Sequence, residues 1–242
     1  MASALQKLEI LSRRETIRRK TFRKINRQNL NSDGKSNYNI EIRIKLLETG
    51  DDLDRNAKNK FPGLVLLDRD GTIIVDKHYL SDPDQVELFA GAAEGIRKLN
   101  EMNIPVAVVT NQSGIGKGYF TLEAMHSVNN RLQKILSTHQ ARIDAFYYCP
   151  DHPDDHSEYR KPNTGMLEEA SREFEVALEE AVIIGDKISD IEAGKRAGAV
   201  SILVRTGYGK EAEKTAKPFT KYVVNSIKEA IELVVSWKVK NK

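Results

Sequence analysis

The segment that most constrains this fold is Leu64-Val65-Leu66-Leu67, followed at once by Asp68-Arg69-Asp70-Gly71-Thr72. Four apolar residues with no polar alternation read as a strand buried on both faces, the kind found in parallel sheets covered by helices. Two carboxylates stand at its end, and Gly71 permits the chain to bend there. The outcome is a pair of acids at the carboxyl edge of a sheet, where open α/β folds place their chemistry. An aspartate so placed can hold Mg²⁺ and attack an electrophile.

The rest of the chain agrees with that start. Further strands are expected at Val106–Val109, Ala145–Tyr148, Val182–Ile184, Ser201–Val204 and Tyr222–Val224. Helical patterns lie between them at Ala92–Met102, Leu122–Thr138, Gly165–Phe174, Ile188–Ala197 and Ser226–Trp237. Strands alternating with helices predict βαβ units with right-handed crossovers, hence an α/β, doubly wound, mostly parallel sheet with helices on both faces.

The first sixty residues are different. They carry 15 Lys and Arg against 8 Asp and Glu, whereas the remainder carries 23 against 27. A basic extension (residues 1–60) is therefore joined to a mildly acidic body (residues 61–242). Leu5 to Arg27 reads as a basic helix with a broken apolar stripe, Ile40 to Leu46 as a short amphipathic strand, and Thr49 to Lys60 as a linker. Such an arm can be a solvated tail or can meet anionic surfaces. No run approaches the roughly 18 apolar residues of a membrane span. No apolar core follows the first residues, so a secretory leader is not expected. Cys149 is the single cysteine, in keeping with a reducing compartment and a cytoplasmic location.

Four segments recur at strand ends: Asp68-x-Asp70, Thr110-Asn111-Gln112-Ser113-Gly114, Arg160-Lys161-Pro162, and Gly185-Asp186-Lys187-Ile188-Ser189-Asp190. Each alone is commonplace, as a turn, a helix cap or a surface pair. Together, in this order and at one edge of one sheet, they suit phosphoryl transfer. A carboxylate can form an aspartyl-phosphate, and Mg²⁺ shields the attacking acid from the phosphate. Asp68 and Asp186 are candidate metal ligands, with the Asp70 carbonyl as a third. The Asp70 side chain is then available as general acid and base. Thr110 and neighbouring N–H groups are placed to bind phosphoryl oxygens, with Lys161 compensating charge. Asp190, one helical turn after Asp186, is expected in the outer shell or orienting Lys161 or Lys187.

With those residues in place, the chain resembles the haloacid dehalogenase-like (HAD) phosphatase superfamily, whose four motifs it matches in order. Within it, six segments resemble the heptose bisphosphate phosphatase family, which is similar to the histidinol-phosphatases. These are Leu67–Ile73, Thr110–Ile115, Tyr147–Pro150, Arg160–Pro162, Gly185–Lys187 and Val204–Gly207. The likeness runs from about Pro62 to about Val235. It implies a HAD-like, Rossmann-type fold and removal of the 7-phosphate from a heptose bisphosphate. Asp68 is then the nucleophile, Asp70 the acid/base and Lys161 the phosphoryl neutraliser. Asp76, Lys77, His78 and Tyr79 are substrate contacts, as are Asn111, Gln112, Ser113, Arg160 and Lys187. Asp186 completes the Mg²⁺ site. About 20 residues separate Thr72 from the next helix, too few for a cap domain, since independent domains usually need about 50. An open site and a monomer are expected.

One departure concerns metal. Many family members bind structural Zn²⁺ before Arg-Lys-Pro through Cys-x-His and a later Cys-x-Cys. Here Cys149 and His152 are separated by two residues rather than one, and Ser157 and Tyr159 stand at the later positions. With His156 the loop offers three ligands, where structural zinc takes four, so no structural zinc is expected. The nearest rival reading is another small phosphatase of the same superfamily, such as a histidinol-phosphatase, although Asn111–Gly118 and Lys187 lean toward the sugar enzyme. A nucleic-acid 3′-phosphatase steered by the basic arm is a more distant rival, but the acidic body shows no patch of aromatic and basic residues. A non-catalytic binding protein is opposed by the intact Asp68, Asp70, Lys161 and Asp186.

Overall fold

The structure, a computed structural model, describes residues 62–240. The readings for Leu5–Arg27, Ile40–Leu46 and Thr49–Lys60 lie outside the described residues. Six strands form one sheet: β1 (Leu64–Leu67), β2 (Val106–Asn111), β3 (Ala145–Cys149), β4 (Ala181–Gly185), β5 (Val200–Val204) and β6 (Tyr222–Val224). Their order is β3-β2-β1-β4-β5-β6 and every pairing is parallel. The helices between them are α1 (Ala92–Glu101), α2 (Leu122–Thr138), α3 (Gly165–Phe174), α4 (Ile188–Ala197), α5 (Gly209–Ala216) and α6 (Ile227–Lys240).

Strand order reverses between β1 and β4, so the crevice at their carboxyl ends is the place where open α/β sheets bind ligands. Alternation along each strand divides the core. Val65 and Leu67 join Val106, Val108, Ile184 and Ile202 in packing on α1, α2 and α6. Leu64 and Leu66 turn the other way and meet Met166, Leu167 and Ala170 of α3. All four β1 side chains are fully buried, as the unbroken apolar run requires. Truncating any of these leucines to alanine costs about 2–5 kcal/mol through lost transfer energy and the cavity left behind.

Three local differences from the sequence expectation have physical causes. β2 continues through Asn111 because Thr110 and Asn111 still pair with Tyr148 and Cys149, so Thr110 lies within the strand rather than after it. Helix α5 has no counterpart in the sequence reading. It is short and charged, and only its alanines are apolar, so it shows no stripe. It forms because Ala216 and Ala212 pack against Leu203 and Ile191. The connection from Thr72 to α1 holds no cap. It is a loop pinned by bridges of Ile74 to Asp70 and Leu88, with a 3₁₀ turn at Pro83–Gln85.

Candidate active site

The loop that follows β1 is shaped by its own backbone. Asp68 N–H donates to Ile184 O (2.9 Å), extending the β1–β4 ladder by one step. Arg69 O then accepts from Ile73 and Ile74 N–H (both 3.0 Å), and Gly71 N–H closes the turn on Ile74 O (2.8 Å). Gly71 has φ +92°, a conformation that disfavours side chains, and a Cβ there would collide with the Asp186 carboxylate. Gly207, after β5, approaches the same carboxylate equally closely from another loop.

Around this turn the structure gathers Asp68, Asp186 and Asp190, all buried, with one ligand oxygen from each within 4.8 Å of the others. Lys161 is buried with them. Its Nζ donates to Asp68 Oδ1 (2.8 Å) and Val109 O (2.6 Å) and pairs with Asp190 Oδ1 at 2.7 Å. Asn111 fixes the Lys161 backbone at two points. Its Oδ1 accepts from Lys161 N–H and its Nδ2 donates to Lys161 O, both at 3.0 Å. Asp190 Oδ2 accepts from Lys187 N–H (2.9 Å). Lys187 Nζ lies 3.4 Å from both Asp70 O and Asp76 Oδ2.

Electrostatics follow from this packing. Burial opposes ionisation of Asp68, but Lys161 and Lys187 outweigh it and hold its carboxyl below the ordinary value. Burial likewise opposes charge on Lys161, and Asp190 and Asp68 overcome it, keeping the ammonium protonated. Asp186 goes the other way. Burial, then the Asp68 charge, push it up to about 8, against the partial relief of Lys187. Among the described residues its carboxylate receives hydrogen bonds from Thr72 Oγ1 (3.3 Å) and Tyr208 N–H (2.9 Å). Burial raises Asp190 as well, against the pull of Lys161. Hard oxygen donors crowded until two of them resist ionisation are a good fit to a divalent cation such as Mg²⁺.

The remaining expected residues divide. The Thr110 hydroxyl accepts from Gln112 Nε2 (2.9 Å), and the same amide donates to Asp70 Oδ2 (2.9 Å). Gln112 is thus engaged with the protein rather than turned out to solvent. Asp76 reaches the acids through Lys187. Lys77 instead pairs with Glu87 (2.9 Å). His78 Nδ1 stands 3.4 Å from Tyr208 Oη. Tyr79 Oη takes a hydrogen bond from Lys117 Nζ (2.9 Å). Ser113 O accepts from Lys117 N–H (3.0 Å). Arg160 is half-buried, with its Nη1 buried and without a hydrogen-bond partner among the described residues.

Three participants carried no assigned role in the sequence reading: Arg69, Thr206 and Asn129. Thr206 Oγ1 donates to Gly71 O (2.7 Å), tying the β5 loop to the first motif. Arg69 is buried and binds Asp70 and Asn129. A charged residue at the end of an apolar strand, and an amide on the apolar stripe of α2, were the available signals.

The loop after β3 does not fit four-coordinate zinc. The Cys149 thiol, its pKa raised by burial, faces Asp151 Oδ2 (3.5 Å) and Ser157 Oγ (3.7 Å). His152 Nδ1 instead accepts from Asp154 N–H (3.3 Å). Among the described residues, Cys149, His152 and His156 form no shared-ion cluster.

Comparison with known proteins agrees with this geometry. The HAD-hydrolase-like family model matches residues 158–230. The D-glycero-β-D-manno-heptose-1,7-bisphosphate 7-phosphatase of Mesorhizobium japonicum is 40% identical, the alignment covering 63% of this chain and 75% of that protein. The enzyme of the same name from Haemophilus influenzae is 34% identical, covering 67% and 91%. The crystal structure of D,D-heptose 1,7-bisphosphate phosphatase from B. bronchiseptica, complexed with magnesium and phosphate, superposes with TM-score 0.68 at 28% identity, covering 72% of this chain and 98% of that one. An all-parallel sheet with buried acids at its switch point, and a third or more of aligned residues shared with the Mesorhizobium japonicum and Haemophilus influenzae enzymes across most of their length, lead to one conclusion: the chain belongs to the heptose-1,7-bisphosphate 7-phosphatase family of HAD-like phosphoric monoester hydrolases.

Proposed function

We propose that this chain removes the 7-phosphate of D-glycero-D-manno-heptose 1,7-bisphosphate, using Asp68 as nucleophile. The observation that carries the reading is Asp68 itself, buried yet held ionised by Lys161 at the switch point of the sheet. In the first step an Asp68 carboxylate oxygen bonds to phosphorus and the bond from phosphorus to the sugar oxygen breaks. Asp70 gives its proton to that oxygen. In the second step water attacks phosphorus, Asp70 takes the water proton, and the Asp68–phosphorus bond breaks to release phosphate. Lys161 offsets the charge on Asp68 and on the transferring group, and the Thr110 region receives phosphoryl oxygens. Asp68, Asp186 and the Asp70 carbonyl are the groups that would hold Mg²⁺. When bound, that ion disperses negative charge on the phosphoryl group.

Asp76, Tyr79, Ser113, Arg160 and Lys187 form the substrate rim of this reading. Lys77, paired to Glu87, is assigned a lesser part. We assign catalysis to residues 61–242 acting as a monomer, in the cytoplasm, with residues 1–60 accessory. The test is Mg²⁺-dependent phosphate release from both anomers of heptose 1,7-bisphosphate, histidinol phosphate, fructose 1,6-bisphosphate and a 3′-phosphorylated oligonucleotide, with Asp68→Asn as the blank. A preference for the heptose of about tenfold or more in kcat/KM, equal to about 1.4 kcal/mol, supports the assignment. Faster turnover of another ester discards the heptose and keeps the chemistry. Activity surviving in Asp68→Asn discards the nucleophile.

A further inference from the structure

Arg69 stands between the two acids in sequence, yet its side chain is only 1% exposed. A guanidinium so far from water needs its donors taken. Nε donates to Asp70 Oδ2 (3.1 Å) and Nη2 to Asp70 Oδ1 (3.2 Å), a side-on grip on both carboxylate oxygens. Nη1 donates to Asn129 Oδ1 at 2.7 Å. Asn129 lies on the buried stripe of α2 with Met125, Val128 and Leu132. Its own Nδ2 turns to Met125 Sδ (3.1 Å), so its oxygen faces the arginine. Gln112 Nε2 holds Asp70 Oδ2 from a third direction, out of the loop after β2.

A lone polar residue on a helix stripe is costly to bury unless it is partnered. Here the partner is an arginine whose Nε and Nη2 both donate to one carboxylate, and that carboxylate stands two positions after the proposed nucleophile. The Asp70 side chain keeps 15% of its surface open, while Arg69 and Gln112 hold both of its oxygens. We propose that Arg69, anchored by Asn129, is a positioning residue that aims Asp70 at the oxygen to which it gives its proton. This rests on the reading of Asp70 as general acid and base. The plainer alternative is that Arg69 only fills space beneath the loop.

Leaving-group dependence separates the two. Protonation matters greatly for an alkoxide leaving from a sugar and little for a nitrophenolate. The value of kcat/KM covers steps only as far as phosphoryl transfer to Asp68, so hydrolysis of the shared phosphoenzyme does not enter. The experiment measures kcat/KM for the sugar bisphosphate and for p-nitrophenyl phosphate in wild type, Asp70→Asn, Arg69→Met and Asn129→Ala. Should the first test leave heptose unturned, the best alkyl ester of that panel takes its place. Asp70→Asn is expected to lose at least tenfold more on the alkyl ester than on the aryl ester. Arg69→Met is expected to lose in the same sense, by about tenfold, and Asn129→Ala by about threefold. Unfolded molecules cancel in the ratio, because both esters meet the same preparation. If Arg69→Met does not fold, the ratio is read on Asn129→Ala. A selective loss in Asp70→Asn with equal losses on both esters in the folded variant overturns the positioning role alone. No selectivity in Asp70→Asn overturns the acid/base reading, and the proposal with it.

Discussion

Replacing Lys161 by methionine keeps most of the side-chain volume and removes the one cation lying between two buried acids. In the folded protein Nζ is 2.8 Å from Asp68 Oδ1 and 2.7 Å from Asp190 Oδ1, and the side chain is 2% exposed. Removing one member of a buried pair leaves the other charge uncompensated, at a cost of about 3–5 kcal/mol. In a domain of about 150–250 residues each kcal/mol is worth about 2–4 °C, so melting in EDTA should fall by about 6–20 °C. The pH dependence has a definite sign. In wild type the Asp68 carboxyl is held low despite burial, because Lys161 and Lys187 favour its charge. That stability is present above the ordinary carboxylate pKa and is lost as pH falls through the folded value. Without Lys161 burial prevails, both acids titrate high, and the variant gains on wild type as pH is lowered from 8 to 5. At pH 8, where fewer of these acids keep a proton, Mg²⁺ should also raise the melting temperature of the variant more than that of wild type, since the carboxylates are no longer offset by Lys161. The assay is thermal unfolding by circular dichroism at pH 5, 6.5 and 8, with EDTA and with Mg²⁺. An unchanged melting temperature in EDTA, or a penalty that grows towards pH 5, refutes the reasoning.

Three further expectations follow from the same geometry. Because burial and then Asp68 push Asp186 up to about 8, metal must displace its proton. Mg²⁺ affinity should fall by up to about tenfold per pH unit below 8, and calorimetry in buffers of different ionisation enthalpy that shows no proton release at pH 7 would rule this out. In the metal-free protein this raised acid destabilises progressively as pH climbs from about 4 to 8, since the folded state keeps a proton the unfolded chain has lost. Gly207→Ala drives a methyl into the Asp186 carboxylate at φ +51°, so Mg²⁺-dependent kcat/KM should drop by about tenfold or more, whereas full activity would mean that the loop yields without cost. Removing residues 1–58 should leave kcat within about twofold, because the catalytic groups assigned here all lie after residue 60, and a large loss in a folded truncated protein would give the extension a part in turnover.

Much of the fold could be read along the chain because its strands are short apolar runs and its helices carry apolar stripes. Leu122–Thr138, Gly165–Phe174 and Ile188–Ala197 emerge with the expected bounds. The strand-end acids were legible for a related reason, since a parallel strand ends abruptly where polar residues begin. What could not be read is which polar group meets which. Asn111 and Gln112 follow a strand in sequence, where substrate contacts are expected. In the structure their amides also bind the Lys161 backbone, Thr110 and Asp70. Nothing along the chain announces that an amide at 111 will bind the backbone of residue 161, fifty positions away. The Arg69–Asn129 bond spans sixty positions and is invisible for the same reason.

The three clustered acids are not equivalent, and their partners show how the site divides. Asp190 has Oδ1 against Lys161 and Oδ2 accepting from Lys187 N–H. A cation drawn to Asp190 would strip Lys161 of one of its two carboxylates and expose that ammonium to the ion's repulsion. Asp186 has no such commitment. Its only donors among the described residues are a hydroxyl and a backbone N–H, and its reluctance to ionise is what a divalent charge relieves. Asp68 touches both halves, with Lys161 on Oδ1 and Asp186 across the cleft. We therefore propose the cation on the Asp68–Asp186 side, with Asp190 holding Lys161 in place. Asp68 is then flanked by two positive charges from different directions, one fixed in the fold and one supplied from solution. A nucleophilic carboxylate needs both, because it must approach a phosphate that bears the same sign of charge.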